Sequence, residues 1–162
     1  LHTIGDQIME VIRLHQGLSK DQAKELAIQM LDRVRIHRPE RLVDEYAFRL
    51  SGGMRQRAMI AMALSCNPSL LIADEPTRGV DVGAKAEIHA LLRKLADDGA
   101  AVAMISSELP EVLGMSDHIA VMREGRLVAV LDHSQATEEL VASYALGTIG
   151  HNRSISEKSD DR

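Results

Sequence analysis

The chain has 162 residues, 45% hydrophobic and 27% charged, enough for one ordinary globular core and not for two. Its net charge of -5 supplies no general attraction to nucleic acid, and Tyr46, Phe48 and Tyr144, its only aromatic residues, form no stacking platform, so no nucleic acid partner is expected. The single cysteine, Cys66, excludes an internal disulfide and suits a reducing compartment, while no apolar run approaches the roughly 20 residues that span a bilayer.

In chain order, Ile4, Ile8, Val11 and Ile12 fall on one helical face, and Thr3 is placed to cap that helix, which should run to about His15. Ser19 and Gln22 have capping-box spacing ahead of a second stripe, Leu26, Ala27, Met30, Leu31 and Val34. Arg38 to Glu45 reads as a charged turn around Pro39. A third helix is expected just after the Gly52-Gly53 turn, running to about Ser65, before Asn67-Pro68 stops it.

Beyond Pro68 short apolar runs alternate with helices, the pattern of βα units and a parallel sheet. The runs are Leu70 to Ala73, Ala101 to Ser106 and Ile119 to Met122. A helix with Ile88, Leu91, Leu92 and Leu95 on one face separates the first two, and a short one, Glu111 to Met115, precedes the third. Glu124-Gly125 should turn the chain into an antiparallel strand, Arg126 to Leu131. Thr137 to Leu146 is the last expected helix, and "NRSISEKSDDR" from Asn152 onward has too little apolar content to fold. The expected division is a helical subdomain at 1–66, a sheet-bearing core at 67–147 and a disordered tail at 148–162.

The chemistry concentrates at loop ends. In "LSGG" the glycines permit close backbone approach, the following helix aligns its free N–H groups, and the Ser51 hydroxyl adds a donor, which suits an anion such as phosphate. The plainer alternative is a simple helix cap. Asp74 and Glu75 stand at the C-terminal edge of what reads as a buried parallel strand, where open α/β sheets bind ligands. Two such acids can divide labour in phosphoryl transfer, one holding magnesium through water and the other orienting or deprotonating the attacking water. A solvated start to a loop would look the same in isolation.

Together, "LSGGMRQR", "LLIADEPT" and "GVD" resemble the ATP-binding cassette (ABC) ATPases in their signature motif, Walker B strand and D-loop, in that order and at that family's spacing. The resemblance covers Leu1 to about Gly147 and implies a partial P-loop NTPase fold of α/β class, a helical subdomain followed by the C-terminal part of the parallel-sheet core. It implies ATP and Mg2+ as cofactors. Ser51, Gly52 and Gly53 would contact the γ-phosphate of an ATP held by the opposite subunit. Asp74 would hold magnesium through water, Glu75 would be the catalytic base, and Asp81 would sit at the dimer interface. The implied partners are a second nucleotide-binding domain, transmembrane permease subunits and, indirectly, a substrate-binding protein, which places the chain at the cytoplasmic face of the inner membrane.

Three departures qualify that picture. The Gly-rich Walker A loop and the glutamine loop are absent from these residues, and the chain opens on Leu1 rather than methionine; the expectation is an N-terminally truncated cassette that does not hydrolyse ATP alone. The third departure is at the switch-histidine position, where "MISSELPEV" puts Ser107: a serine can donate to a phosphate oxygen but cannot carry an imidazolium charge. A satisfied strand-end hydroxyl is the alternative there. Up to "LLIADEPT" the wording is similar to peptide and glutathione importer ATPases; from "TRGVDVGAK" through "SSELPEVLGMSDHIAVMREGRL" it resembles ribose and xylose importers, which leaves a small solute, peptide or sugar, as the expected cargo. A non-catalytic hybrid cassette that only supplies the signature face is the competing reading. Arg55 and Arg57 are expected to cover the helix surface and pair with acids, Met54, Met59 and Met62 to fill the core, and Cys66 to be a small buried residue. The seven histidines lack metal-ligand spacing.

Overall fold

A computed structural model of the chain describes residues 1–148. The tail expected from the sequence lies, from residue 149 on, outside the described residues. The chain divides into two compact units, Leu1–Ser107 and a second from Glu108 onward.

The first unit opens with α1 (Ile4–Gln16) and α2 (Lys20–Arg33). Both begin with a capping box: Thr3 Oγ1 accepts from the Asp6 N–H at 3.1 Å while Asp6 Oδ2 accepts from the Thr3 N–H at 3.0 Å, and Ser19 and Gln22 do the same. These bonds satisfy N–H groups that no earlier turn can reach. Further relief comes from across the unit, since the N–H groups of Ile4 and Gly5 donate to the carbonyls of Glu45 and Val43, each at 2.8 Å. Ile8, Ile12, Ala27, Leu31 and Val34 are buried where α1 and α2 face one another.

The segment expected as a charged turn contains α3 (Pro39–Leu42), a single helical turn with Pro39 in its first position, where a missing N–H is tolerated. A 3-10 turn, Ala47–Arg49, leads to α4 (Gly52–Leu64). Gly52 and Gly53 lie inside the first turn of α4 rather than ahead of it, because Ser51 is itself the N-cap and accepts from the Met54 N–H. Met59 is 59% exposed, not core: it lies on the outer face of α4, while Ala58, Ala61 and Leu64 turn inward. Cys66 is only half-buried.

Strands β1 (Leu70–Asp74) and β2 (Ala101–Ile105) pair in parallel, from Leu70 opposite Ala101 to Asp74 opposite Ile105, joined by α5 (Val82–Asp97). Helix α5 buries Ile88, Leu91, Leu92 and Leu95. The expectation of a buried strand is corrected: Leu71 is buried, but Leu70 and Ile72 stay 51% and 63% exposed. Successive side chains of a strand point to opposite faces, and only one face of β1 is covered among the described residues.

The second unit holds α6 (Leu109–Met115), β3 (His118–Arg123), β4 (Arg126–Asp132), a 3-10 turn and α7 (Glu138–Leu146). The third apolar run does not extend the parallel pair; it forms β3, which pairs antiparallel with β4 in a separate sheet. The expected hairpin turn is present, with positive φ at both Glu124 (51°) and Gly125 (74°), matching a two-residue turn whose twist suits the strands it joins. Ile119, Val121 and Leu131 pack with Val141 of α7, which Thr137 caps. No described helix is long and apolar enough to cross a membrane.

Candidate functional site

The parallel pairing of β1 and β2 brings the acidic pair to the end of β2. Asp74 is the last residue of β1, opposite Ile105, with its side chain exposed. Glu75 then turns sharply. Its φ is +47°, left-handed backbone that side-chain-bearing residues seldom adopt. The turn is held by main-chain bonds: the Glu75 N–H donates to the Ile105 carbonyl at 2.8 Å, and the Arg78 N–H donates to the Glu75 carbonyl at 3.1 Å. Pro76 and Thr77 behind it are buried. The Glu75 carboxylate is directed to β2's end, where Oε1 accepts from the Ser107 N–H at 3.0 Å. Glu75 and Ser107, singled out 32 residues apart, therefore meet. They meet through the main chain of Ser107, not its hydroxyl.

The glycine turn is built differently. Ser51 Oγ accepts from the Met54 N–H at 3.3 Å, and an oxygen that accepts in this way keeps its own O–H free to donate. The N–H groups of Gly52 and Gly53 belong to the first turn of α4, which no earlier helical carbonyl can reach. Packing inside this chain also requires Gly53 and leaves little room at Gly52. A Cβ on Gly52 would lie 3.2 Å from the Gly79 carbonyl oxygen, and one on Gly53 would lie 2.5 Å from the Ala84 Cβ of α5. Asp81 stands next to this contact. Its Oδ1 accepts from the Ala84 N–H at 3.0 Å and caps α5. Thus the structure groups Gly52 and Gly53 with the segment from Gly79 to Ala84, and Glu75 with Ser107. Ser51 is turned to its own helix.

Arg57 links α4 to α5 and to the chain just after α2. Only 14% of its side chain is exposed; one guanidinium nitrogen lies 3.0 Å from Glu87 of α5 and donates at 2.9 Å to the Arg35 carbonyl. The expectation that Arg57 pairs with an acid holds, whereas Arg55 donates to the Leu50 carbonyl. Sequence reasoning missed the Ser107 main-chain bond and the Gly53–Ala84 contact. No residue type marks an amide donor, and a 31-residue separation between two small residues carries no local signal.

Among the described residues no cluster of three or more His, Cys, Asp or Glu could enclose a metal ion. Asp74 fits a more open arrangement. Magnesium keeps several waters and is commonly bound through one or two carboxylates plus substrate phosphates, so an exposed carboxylate at a strand end is an adequate protein contribution.

The fold is that of an ABC ATPase cassette, a P-loop NTPase architecture present here in part, and a family model described as ABC transporter matches residues 2–78. The dimeric structure of the bacterial ABC transporter cassette MJ0796 superposes with a TM-score of 0.70 at 26% identity, covering 82% of this chain and 57% of that one. The cassette MJ1267, at 24% identity and a TM-score of 0.72, supports the fold alone; 92% of this chain and 63% of that one are covered. Among curated proteins, a Hahella chejuensis protein named for ATP binding in ribose/galactose/methyl galactoside import is 45% identical over 150 residues, 88% of this chain and 28% of its own length. The ribose import ATP-binding protein RbsA 1 of Streptomyces coelicolor is 58% identical over 98 residues, 60% of this chain and 19% of its own length. The chain therefore spans less than a third of the curated relatives it matches.

Proposed function

We propose that the chain is part of the nucleotide-binding subunit of an ABC importer that couples ATP binding and hydrolysis to uptake of a sugar. The observation that carries this reading is the placement of Glu75: a carboxylate one residue beyond an exposed strand-end aspartate, held by left-handed backbone and by an amide from the neighbouring strand. In this reading Asp74 holds magnesium through water, which neutralises charge on the transferred phosphoryl group, and Glu75 takes the proton of the attacking water. Ser51, with the N–H groups of Gly52 and Gly53, donates to the γ-phosphate of an ATP held by a second nucleotide-binding domain. Asp81 lies at the interface of the two domains. Residues 1–66 form the signature subdomain and face permease subunits at the cytoplasmic side of the membrane, with a substrate-binding protein acting further upstream; 67–147 belong to the nucleotide-binding core.

Sugar is preferred to peptide because the relatives quoted above are named for ribose or galactose import, and the alignment that takes in 88% of the chain necessarily includes most of the helical part. The 162 residues contain no Walker A loop, so the test supplies one. An N-terminal ABC cassette region that contains a Walker A loop is joined to this chain, and magnesium-dependent hydrolysis is measured. Glu75→Gln is expected to lower kcat by about 10²-fold or more while ATP binding persists. Unchanged turnover in that variant removes Glu75 from the role of base. The 162 residues alone are expected to show no hydrolysis above background, and activity in a contaminant-free preparation would refute the need for a Walker A loop.

A further inference from the structure

The carboxylate of Glu75 meets the segment after β2 at one atom, the amide nitrogen of Ser107, 3.0 Å from Oε1. The Ser107 side chain is exposed, and among the described residues its hydroxyl makes no hydrogen bond. The end of β2 also holds the Glu75 backbone, because the Ile105 carbonyl accepts from the Glu75 N–H at 2.8 Å. The last residue of β2 thus holds the left-handed backbone of Glu75, and the residue two positions further on fixes the direction of its carboxylate. An amide N–H donating to a carboxylate is a charge-assisted bond, stronger and more directional than a neutral one. It also leaves Oε2 free, so a carboxylate held this way still presents an unencumbered oxygen to a water.

We propose that the position after β2 acts on Glu75 through its main chain: the Ser107 amide is a positioning group for the carboxylate, and the Ser107 side chain contributes little. This rests on the reading of Glu75 as the base. It accounts for a serine at a position where the resemblance leads one to expect histidine, since any residue except proline supplies the amide.

The test uses the joined cassette described above and compares three changes at one position: Ser107→Ala, Ser107→Pro, and replacement of the peptide bond between Ser106 and Ser107 by an ester, which removes only the N–H. The ester and Ser107→Pro are expected to lower kcat by about tenfold or more, as expected for loss of a hydrogen bond to a charged group, with the Kd for ATP within about twofold. Ser107→Ala is expected to lose no more than about threefold. Equal losses for alanine and the ester would assign the role to the hydroxyl and overturn the proposal. So would an ester without effect, even if proline were damaging, because proline also restrains the backbone. Glu75→Gln serves as the separate control: if it abolishes turnover while the ester does not, the base assignment stands and the positioning role falls.

Discussion

Two regions of the first compact unit treat their apolar residues in opposite ways. In α1 and α2, Ile8, Ile12, Ala27 and Leu31 are at most 1% exposed, whereas in β1 and β2 Leu70, Ile72 and Ile105 keep 51%, 63% and 54% of their surface. The helices complete one another: their stripes face inward, and α4 adds Ala58, Ala61 and Leu64. A strand cannot close its environment in this manner, because its two faces need two covering layers. Helical packing is thus self-sufficient within these residues, and the sheet is not. The candidate site acids Asp74 and Glu75 sit on the incompletely covered part, the glycine turn on the well-packed part.

The sharpest way to break this contrast is a pair of truncations. Ile12→Ala is expected to destabilise the chain by about 2–5 kcal/mol, the range for large-to-small changes in a close-packed interior. Ile72→Ala, at an exposed strand position, is expected to stay within about 0.5 kcal/mol. Denaturant unfolding of both variants measures this, and similar losses would mean that the exposed face of β1 is covered in solution.

A smaller effect tests the seam between the two regions. Gly53→Ala places a methyl group against Ala84 at 2.5 Å and is expected to cost about 1–3 kcal/mol through overpacking. Gly83→Ala, whose nearest neighbour is Asp81 Oδ1 at 3.4 Å, is expected to be neutral or to stabilise by up to about 1 kcal/mol through helix propensity. The reverse order would show that α4 and α5 do not approach so closely.

The smallest expected effect lies in the helical region and depends on pH. Thr3→Ala removes the α1 cap at a cost of about 1 kcal/mol. The Thr3 backbone and side-chain hydrogen bonds hold the Asp6 carboxyl below its ordinary value of 3.8. A lowered carboxylate pKa means that the folded state binds its proton less readily than the unfolded state. The contribution is therefore fully present above the ordinary value and is lost as pH falls through the lowered one. Alanine keeps the main-chain N–H that makes the larger contribution, so stability measured against pH should show only a slightly smaller acid-side decline in Thr3→Ala than in the parent chain, and a steeper decline would refute the contribution of the Thr3 side chain.

Much of the local structure was legible because its causes are local. Thr3 with Asp6 and Ser19 with Gln22 sit three residues apart and start α1 and α2; Glu124-Gly125 makes the hairpin turn it spells. Errors arose where a neighbour chose among local options. Pro39 was compatible with a turn or with the first position of a helix; it starts the single turn α3, closed by the Leu42 N–H on the Arg38 carbonyl and the Val43 N–H on the Pro39 carbonyl. Met59 is apolar, yet its place on the outer side of α4 leaves it exposed. The antiparallel pairing of Ile119 to Met122 with the strand beyond the two-residue turn was expected; what was not legible is that this hairpin forms its own sheet instead of joining β1 and β2.

By itself the sequence determined which element ends carry the candidate site residues: Ser51 to Gly53 at a helix start, Asp74 and Glu75 at a strand end, Asp81 ahead of α5. Residue type and spacing of a few positions suffice for that. Only the tertiary structure decided what each group touches. It set the second glycine against Ala84, closed Asp81 onto its own helix, and brought the Glu75 carboxylate to the amide of Ser107. The Asp81 cap is local, but Gly53 with Ala84 and Glu75 with Ser107 are far apart in the chain: the packing of α4 on α5 and the register of β1 on β2 bring them together, and no local pattern encodes either.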